Sequence, residues 1–356
     1  MPIRRTLLKS AIALAVLSLA APAAAQSDSP IPVVTTFSIL GDMVERIGGD
    51  QVAVTTLVGA DGDAHVYQPT PAAARAVSEA KILVVNGLEF EGWLDRLIDA
   101  SDFRGLRVVA TDGVSAIAYE EDADHEEHAA EEGHDHDHEK HAAKEEHDHD
   151  HDHEKHAAKG EHDHDHEKHE EAGAHDHHHH GAFDPHAWQS LTNAVIYVDN
   201  ITAALAKADP ENAGTFYRNR EAYVAEIKAL DAEIREIVAS LPTGRRTVVT
   251  SHDAFQYFGR DYGLTFLAPQ GLSTESEASA QDVARLIEQM RDEKTSAVFV
   301  ENITDSRLLE QIANETGANI GGTLYPGALS GPEGPAPSYL EMMRHNATTL
   351  AQALSS

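Results

Sequence analysis

Residues 33–58 read VVTTFSILGDMVERIGGDQVAVTTLV, and this stretch decides the fold. Its two ends, 33–36 and 52–58, are β-branched runs of the kind found in buried parallel strands. Between them the apolar residues fall on one face of a helix, at Phe37, Leu40, Val44 and Ile47. Gly48-Gly49 then supplies a helix stop. The stretch therefore predicts a strand, a helix and a second strand of a parallel sheet.

The same alternation continues to residue 110 and returns after residue 245. In the first half, strand-like runs recur at 82–85 and 106–109, and Thr70-Pro71 provides the N-cap and first residue of another helix. The second half has strand-like runs at 247–250, 264–267, 297–300 and 319–324, and helical patterns at 253–262, 280–292, 306–316 and 338–353. We therefore expect an α/β fold of two pseudosymmetric lobes with parallel four-stranded sheets. The N-terminal lobe covers 30–208, interrupted at 120–181, and the C-terminal lobe covers 245–356.

A long helical pattern joins the two lobes. Residues 189–207 have a helical pattern, and Asp209-Pro210-Glu211 begins a second run that continues through Ile237 and ends before Pro242. About thirty helical residues extend roughly 45 Å. We predict a rigid connecting helix over 209–241. The alternative, a dimeric coiled coil, is disfavoured because the apolar spacing is not one of sustained heptads, so we expect a monomer.

The charge of the chain restricts its partners. Sixty acidic residues against 27 basic residues give a formal net charge of -33. Such a chain is repelled by nucleic acid and by an anionic membrane, so neither is an expected partner. A cation is the natural ligand.

Residues 1–25 have the pattern of an export signal. Arg4, Arg5 and Lys9 form a basic end, an apolar run follows at 11–19, and three alanines at 23–25 supply a cleavage site. The apolar run is short for a membrane anchor, and the paired arginines leave both the Sec and the twin-arginine routes open. No cysteine is present, which excludes thiolate metal ligands and a cysteine-linked lipid. We therefore expect a periplasmic location.

Residues 120–181 differ in composition from the rest of the chain. They contain 20 of the 24 histidines and 24 acidic residues, and the unit HDHDHEKHAAK occurs at 134–144 and again at 149–159. Such a polar segment cannot bury enough apolar surface to fold alone. We predict a disordered loop that binds several metal ions weakly, rather than a solvated linker with incidental histidines. Its proposed ligands are His134, His136, His138, His147, His149, His151, His153, His177, His178, His179 and His180.

Four histidines lie outside that segment. His65 follows the second strand of the first lobe, and His252 follows the first strand of the second lobe, where binding groups of open α/β sheets collect. His186 lies in Asp184-Pro185-His186, just before the connecting helices. His345 lies within the last helical pattern, and we interpret it as a packing or surface residue. We predict that His65, His186 and His252 bind one metal ion between the lobes.

Five motifs resemble the cluster A-I metal-binding proteins of ABC importers, most closely the zinc-specific ZnuA-like and AztC-like members. They are DAHVYQPTP at 63–71, DPHAW at 184–188, SHDAFQYF at 251–258, STESEASA at 273–280 and GPAPSYLEMMRHN at 334–346. The resemblance covers essentially the whole mature chain. It implies two lobes with a rigid spanning helix, one metal ligand from each of the first three motifs, and an acidic His-rich insertion beside the metal entrance. In manganese members, Glu replaces the residue that matches His252.

The chain departs from the family at one ligand position. Many members supply an Asp as fourth ligand from a Tyr-x-Asp-x-Leu-Ser segment, but here the segment reads Tyr325-Pro326-Gly327-Ala328-Leu329-Ser330. Gly327 has no side chain that could bind a metal. Since zinc favours four ligands, the fourth position is left to water, another acidic group or a loop histidine.

The resemblance implies a carrier of Zn²⁺ that delivers the ion to a membrane permease driven by a cytoplasmic ATPase. A periplasmic zinc chaperone is left open as a further partner. One alternative is a periplasmic zinc buffer or chaperone that never docks on a permease. Another is a zinc hydrolase, because three histidines and a water also form hydrolytic zinc sites. The sequence contains neither HExxH nor GxSxG, so we do not expect an enzyme.

Overall fold

The computed structural model describes residues 29–119 and 182–355, apart from residues 243 and 296. The predicted export signal and the predicted His-rich loop, with all eleven of its proposed ligands, lie outside these residues. None of the described helices is long and apolar enough to cross a membrane.

The N-terminal lobe contains four parallel strands in the order β2-β1-β3-β4. The strands are β1 (Ile31–Phe37), β2 (Val52–Val58), β3 (Ile82–Val85) and β4 (Leu106–Val109). Helix α1 (Ser38–Gly48) buries the apolar face predicted from its spacing and ends where Gly49 adopts a φ of 53°. Helix α2 (Pro71–Glu79) begins as predicted, since the Thr70 side chain accepts a hydrogen bond from the Ala73 N–H.

One helix of this lobe is absent from the sequence prediction. Helix α3 (Leu94–Ser101) connects β3 to β4 and has only eight residues. Its buried face consists of Leu94, Leu97 and Ser101, and with the half-buried Ile98 it has only three large apolar residues, too few to define a period. The helix depends on tertiary packing, because isolated helices of this length are not stable.

The C-terminal lobe repeats the topology with strand order β6-β5-β7-β8, again all parallel. Its strands are β5 (Thr247–Val249), β6 (Thr265–Leu267), β7 (Ala297–Glu301) and β8 (Asn319–Leu324). Its helices, numbered after the two that connect the lobes, are α6 (Gln256–Tyr262), α7 (Ala280–Glu293), α8 (Arg307–Thr316) and α9 (Tyr339–Ser355). Because the second strand of each lobe lies outermost and the first lies beside the third, the predicted pseudosymmetric α/β fold is confirmed.

Two helices connect the lobes, α4 (Leu191–Ala208) and α5 (Ala213–Ala239). The connecting helix thus begins four residues later than the sequence pattern predicts. The Asp209 carboxylate accepts the Asn212 N–H at 3.2 Å and forms a turn there instead. Helix α5 has 27 residues, about 40 Å of helix. It packs against α1 and α4 on one side and α9 and α6 on the other, so both lobes are fixed to it.

The apolar core is continuous between the lobes. One cluster of buried side chains runs from α1 and the first sheet through α4 and α5 into β5, α6 and α9. The largest fully buried side chains of this cluster include Trp188, Tyr197, Tyr223 and Tyr339. A second, smaller cluster packs α7 and α8 against β5 and β7.

Candidate metal centre

His65 lies in the loop that follows β2. The Asp63 carboxylate accepts the backbone N–H of His65 at 2.9 Å, which closes a short turn before the histidine. The Trp93 indole N–H donates to the Ala64 carbonyl at 2.8 Å and holds the loop to the lobe. The edge of the His65 ring meets Phe90, with ring centroids 4.7 Å apart, and 6% of the residue is exposed.

His186 lies just before α4, where the chain returns from the first lobe. One carboxylate oxygen of Asp184 accepts both the backbone N–H of His186 at 2.9 Å and its ring Nδ1 at 2.8 Å. The Tyr257 hydroxyl, from α6 of the other lobe, donates to the Asp184 carbonyl at 2.8 Å. His186 is fully buried, and its ring orientation is fixed by residues of both lobes.

His252 follows β5 and is also fully buried. Glu301, the last residue of β7, accepts the backbone N–H groups of Ser251 and His252 on one carboxylate oxygen, at 3.0 and 3.2 Å. Its other oxygen lies 2.6 Å from Nδ1 of His252. Glu301 therefore fixes both the backbone and the ring of this histidine, because β5 and β7 are neighbouring parallel strands.

The three side chains converge. One ring nitrogen from each of His65, His186 and His252 lies within 4.8 Å of the other two. The Nε2 atoms of His65 and His186 are 3.3 Å apart, and Nε2 of His252 is buried with no hydrogen-bond partner among the described residues. Since Nδ1 of both His186 and His252 bonds to a carboxylate, their Nε2 atoms are left as electron-pair donors. The arrangement suits a metal ion bound by three imidazoles, and among the described residues the group contains no carboxylate ligand.

Burial and neighbouring charge give the three rings different protonation behaviour. Burial, followed by the nearby histidines, lowers the pKa of His65 and His186 well below the usual range, so both are neutral at pH 7. Burial also opposes protonation of His252, but the Glu301 carboxylate outweighs it and the pKa of His252 is raised. Burial raises the pKa of Asp184 to about 7.

Loops of the two lobes bond to each other around the centre. The Thr274 hydroxyl donates to the second carboxylate oxygen of Asp63 at 2.6 Å, and the Asn302 amide donates to Asp61 at 3.0 Å. The Asp61 N–H donates to the Leu329 carbonyl at 2.8 Å. The candidate ligands therefore lie between the lobes, with the loop of His65 fastened to the C-terminal lobe.

Gly327 lies in the buried segment 324–330 of the C-terminal lobe. A Cβ atom at this position would meet Trp188 at 3.7 Å and Ile303 at 4.0 Å, which are ordinary contacts. The backbone could therefore accept a larger side chain at this position. His345 lies on α9 with its Nε2 3.0 Å from the Thr323 carbonyl, away from the three converging rings.

Sequence reasoning missed the two carboxylates that orient the rings. Asp184 lies in a quoted motif but received no role, and Glu301 received none either. A signal for Glu301 was present, because it directly follows the strand predicted at 297–300, at the edge of the sheet where His252 was placed. The sequence alone could not show that Glu301 pairs with His252, which lies 49 positions away in the chain.

Comparison with known proteins agrees with the fold and identifies metal-binding relatives. Residues 33–353 match the family model ZnuA, described as zinc-uptake complex component A, periplasmic. The iron-binding protein YfeA of Yersinia pestis is 30% identical over 320 residues, which cover 90% of this chain and 85% of YfeA. The manganese-binding lipoprotein MntA of Halalkalibacterium halodurans is 28% identical, over 91% and 89% of the two chains.

Solved structures give the same picture. The periplasmic zinc binding protein TroA from Treponema pallidum superposes with a TM-score of 0.72 at 25% identity, covering 92% of this chain and all of TroA. The manganese-bound periplasmic metal binding protein of Candidatus Liberibacter asiaticus gives a TM-score of 0.69 at 28% identity, with the same coverage.

Proposed function

We propose a zinc-delivery function for this chain, which belongs to the family of periplasmic component A proteins of zinc-uptake complexes. It is a metal-binding protein of the substrate-binding class that serves ABC transporters. In our proposal it holds one Zn²⁺ between its lobes with His65, His186 and His252. It then passes the ion to a membrane permease that is driven by a cytoplasmic ATPase.

The donor set is the observation that supports zinc. Relatives are named for iron and manganese as well as zinc, so family membership leaves the metal open. Three imidazole nitrogens within 4.8 Å of one another, with no carboxylate in the described group, suit zinc better than manganese, which prefers oxygen ligands. Three ligands leave one position of the four that zinc favours, and we assign it to water or to a donor outside the described residues.

The carboxylates behind the rings support a divalent ion. Glu301 and Asp184 are almost completely buried, and each hydrogen-bonds the ring of one ligand. Such partners orient imidazoles, increase their basicity and offset part of the charge of a bound cation. With no ion, the buried cluster of three histidines would instead leave Nε2 of His252 unsatisfied.

We also propose that the protein works in the periplasm without a lipid anchor. The relative MntA is named as a lipoprotein, whereas the present sequence has no cysteine that could hold a lipid. Residues 1–25 have the composition of an export signal.

Zinc titration in the presence of a competing chelator of known affinity tests the site. The chelator withholds zinc from weak sites, so we expect one tightly bound zinc per chain. In a competition experiment, zinc should displace manganese from this site. His186→Ala should abolish that zinc, whereas the matched control His345→Ala, on α9, should retain it. Tight zinc that survives His186→Ala, or manganese that binds more tightly than zinc, would rule out the proposed site.

The His-rich residues 120–181 are proposed as accessory, weaker zinc ligands that raise the local supply of metal. Without the chelator, zinc should bind in excess of one ion per chain, and these additional ions should remain in His186→Ala. A total of one zinc per chain without chelator would contradict the accessory role.

Growth experiments separate an importer component from a buffer. Deleting the gene should impair growth when zinc is scarce, because uptake then depends on the carrier. A buffer would instead change tolerance to excess zinc and leave growth at low zinc intact. The second pattern would contradict delivery to a permease.

A further inference from the structure

A surface groove of about 900 Å³ lies between α2 and α3 of the N-terminal lobe. Tyr67 and Pro69, from the loop that follows His65, form part of its wall. Helix α2 contributes Arg75, and helix α3 contributes Arg96 and Leu97. The groove is therefore continuous with the loop that holds the first candidate ligand.

The groove lies on the outer face of the lobe. Helix α1 leads from β1 to the outermost strand β2, whereas α2 and α3 lead across the sheet in the opposite direction. Because such crossovers are right-handed, α2 and α3 lie on the face opposite α1. Helix α1 packs against the connecting helix α5, so the groove faces away from it.

The charge of the groove contrasts with that of the protein. Arg75 and Arg96 are exposed, and neither has an ion pair or hydrogen bond among the described residues. Other arginines, such as Arg220 and Arg344, pair with carboxylates of the same chain. Two unpaired guanidinium groups beside apolar side chains suit an acidic protein segment with some apolar residues. An anionic lipid surface is less suitable, because the rest of this acidic chain repels it.

The ring of His65, beside the groove, is the least restrained of the three candidate ligand rings. The rings of His186 and His252 are each bonded to a buried carboxylate, whereas the Asp63 carboxylate accepts the backbone N–H of His65 and the Thr274 hydroxyl and leaves the His65 ring without a carboxylate partner. Val66, which separates His65 from Tyr67, is 47% exposed. A partner in the groove would contact this loop first.

We propose that the groove docks an acidic extracytoplasmic segment of the membrane permease, an inference that rests on the transport function proposed above. Contact with residues 66–69 then displaces His65 from the metal, while Asp184 and Glu301 keep the other two rings in place. Docking and release are coupled through this one loop.

Charge reversal in the full-length protein tests the groove. The double variant Arg75→Glu with Arg96→Glu should bind one zinc as tightly as the wild type. In a strain that lacks the wild-type gene it should reduce uptake of radioactive zinc about tenfold or more. The matched control, Arg104→Glu with Arg218→Glu, makes the same change of charge at exposed positions of the same lobe and of α5. It should restore uptake.

Uptake by the groove variant equal to that of the control would overturn the proposal. So would loss of zinc binding in the groove variant, since the arginines would then act on the site and not on a partner. Different results would contradict the proposed transport function itself: a wild-type protein that binds no tight zinc, or a gene deletion that leaves zinc uptake unchanged.

A photo-crosslinking amino acid at Ser78, which lines the groove, identifies the occupant. We expect a covalent adduct with the permease in membranes of the source bacterium. A cross-link to residues 120–181 of the same chain, or to lipid, would show a different occupant and overturn the proposal.

Discussion

At the residue scale, the candidate ligands are controlled by two carboxylates. Glu301 bonds His252 at its ring and its backbone, and Asp184 does the same for His186. The two histidines nevertheless differ in how readily they bind a second proton. Burial keeps the pKa of His186 low, whereas Glu301 raises the pKa of His252. His252 is therefore the ligand for which a proton and the metal compete most strongly.

We predict that zinc binding near pH 6.5 releases protons, because Glu301 raises the pKa of His252 and the His252 ring must lose its extra proton before Nε2 can bind the metal. The apparent zinc affinity should accordingly fall as the pH drops, and the fall should begin at a higher pH than the titration of a free imidazole. Glu301→Gln removes the main group that raises the pKa of His252, while burial still lowers it, so proton release should decrease. Affinity should drop about 10–100-fold, since the ring loses its orienting carboxylate.

Calorimetric titration in buffers of different ionisation enthalpy measures the proton release. Glu91→Gln is the matched control, because Glu91 is a buried glutamate that bonds Thr36 and the Asn86 N–H rather than a histidine. Unchanged proton release in Glu301→Gln would show that His252 does not titrate with the metal.

Gly327 allows the missing family ligand to be restored. An added Cβ makes only ordinary contacts, but the position is buried, so an unpaired carboxylate there costs several kcal/mol. We predict that Gly327→Asp lowers the melting temperature of the metal-free protein and that zinc raises it by more than in the wild type. The isosteric control Gly327→Asn should lack the additional zinc effect. Equal zinc-induced shifts in the two variants would mean that the side chain does not reach the metal.

At the element scale, α1, α5 and α9 meet at one carboxylate. Asp42 of α1 accepts the backbone N–H of Tyr339, at the start of α9, at 3.1 Å. The Tyr223 hydroxyl of α5 lies 3.5 Å from the same oxygen. The Tyr339 hydroxyl donates at 2.6 Å to the carbonyl of Trp188, two residues beyond His186. This junction joins helices of both lobes to the loop of one candidate ligand.

Asp42 gives the junction a pH dependence. Burial raises the pKa of Asp42 to about 6. Since its folded-state pKa exceeds the usual value, ionisation costs stability, and this cost grows as pH rises from about 4 to above 6. Asp42→Asn should thus match the wild type at pH 4 and exceed its unfolding free energy at pH 8 by on the order of 1–3 kcal/mol.

Urea unfolding of the metal-free protein at the two pH values measures this difference. Asp50→Asn, at an exposed position of the same lobe, controls for the removal of one charge. A stability difference that is independent of pH would show that Asp42 is not a buried, titrating carboxylate.

At the scale of the whole molecule, the shared core makes the two lobes one folding unit. The buried cluster extends from the first sheet through α5 into the second lobe. Helix α5 contributes side chains such as Phe216, Ile227 and Ile234 to it, all essentially without exposure. Loss of packing along α5 therefore weakens both lobes together.

We predict a single calorimetric unfolding transition that moves as a whole when α5 is altered. Ile234→Ala removes a fully buried side chain and should cost about 2–5 kcal/mol. Glu236→Ala, exposed on the same helix, should have little effect. Separation into two transitions in Ile234→Ala would show that the lobes fold independently.

The whole-molecule architecture is where sequence and structure agree best. The runs at 52–58, 82–85 and 106–109 are strands with the predicted bounds, because β-branched residues between turn signals report on local backbone preference. Prediction failed where local signals were few or competed. Helix α3 has two buried apolar residues. The connecting helix begins at Ala213 and not at Asp209, because Asp209 bonds Asn212 in a turn.

The sequence by itself determined the lobes, the connecting helices and the identity of three candidate histidines, since each depends on residues that are neighbours in the chain. Only the tertiary structure decided that those histidines converge, although His65 and His186 are 121 positions apart. It also decided which carboxylate bonds which ring, and so which pKa rises and which falls. The reason is physical: distances between remote residues, and the burial that sets their charge, are fixed by packing between elements and not by local pattern.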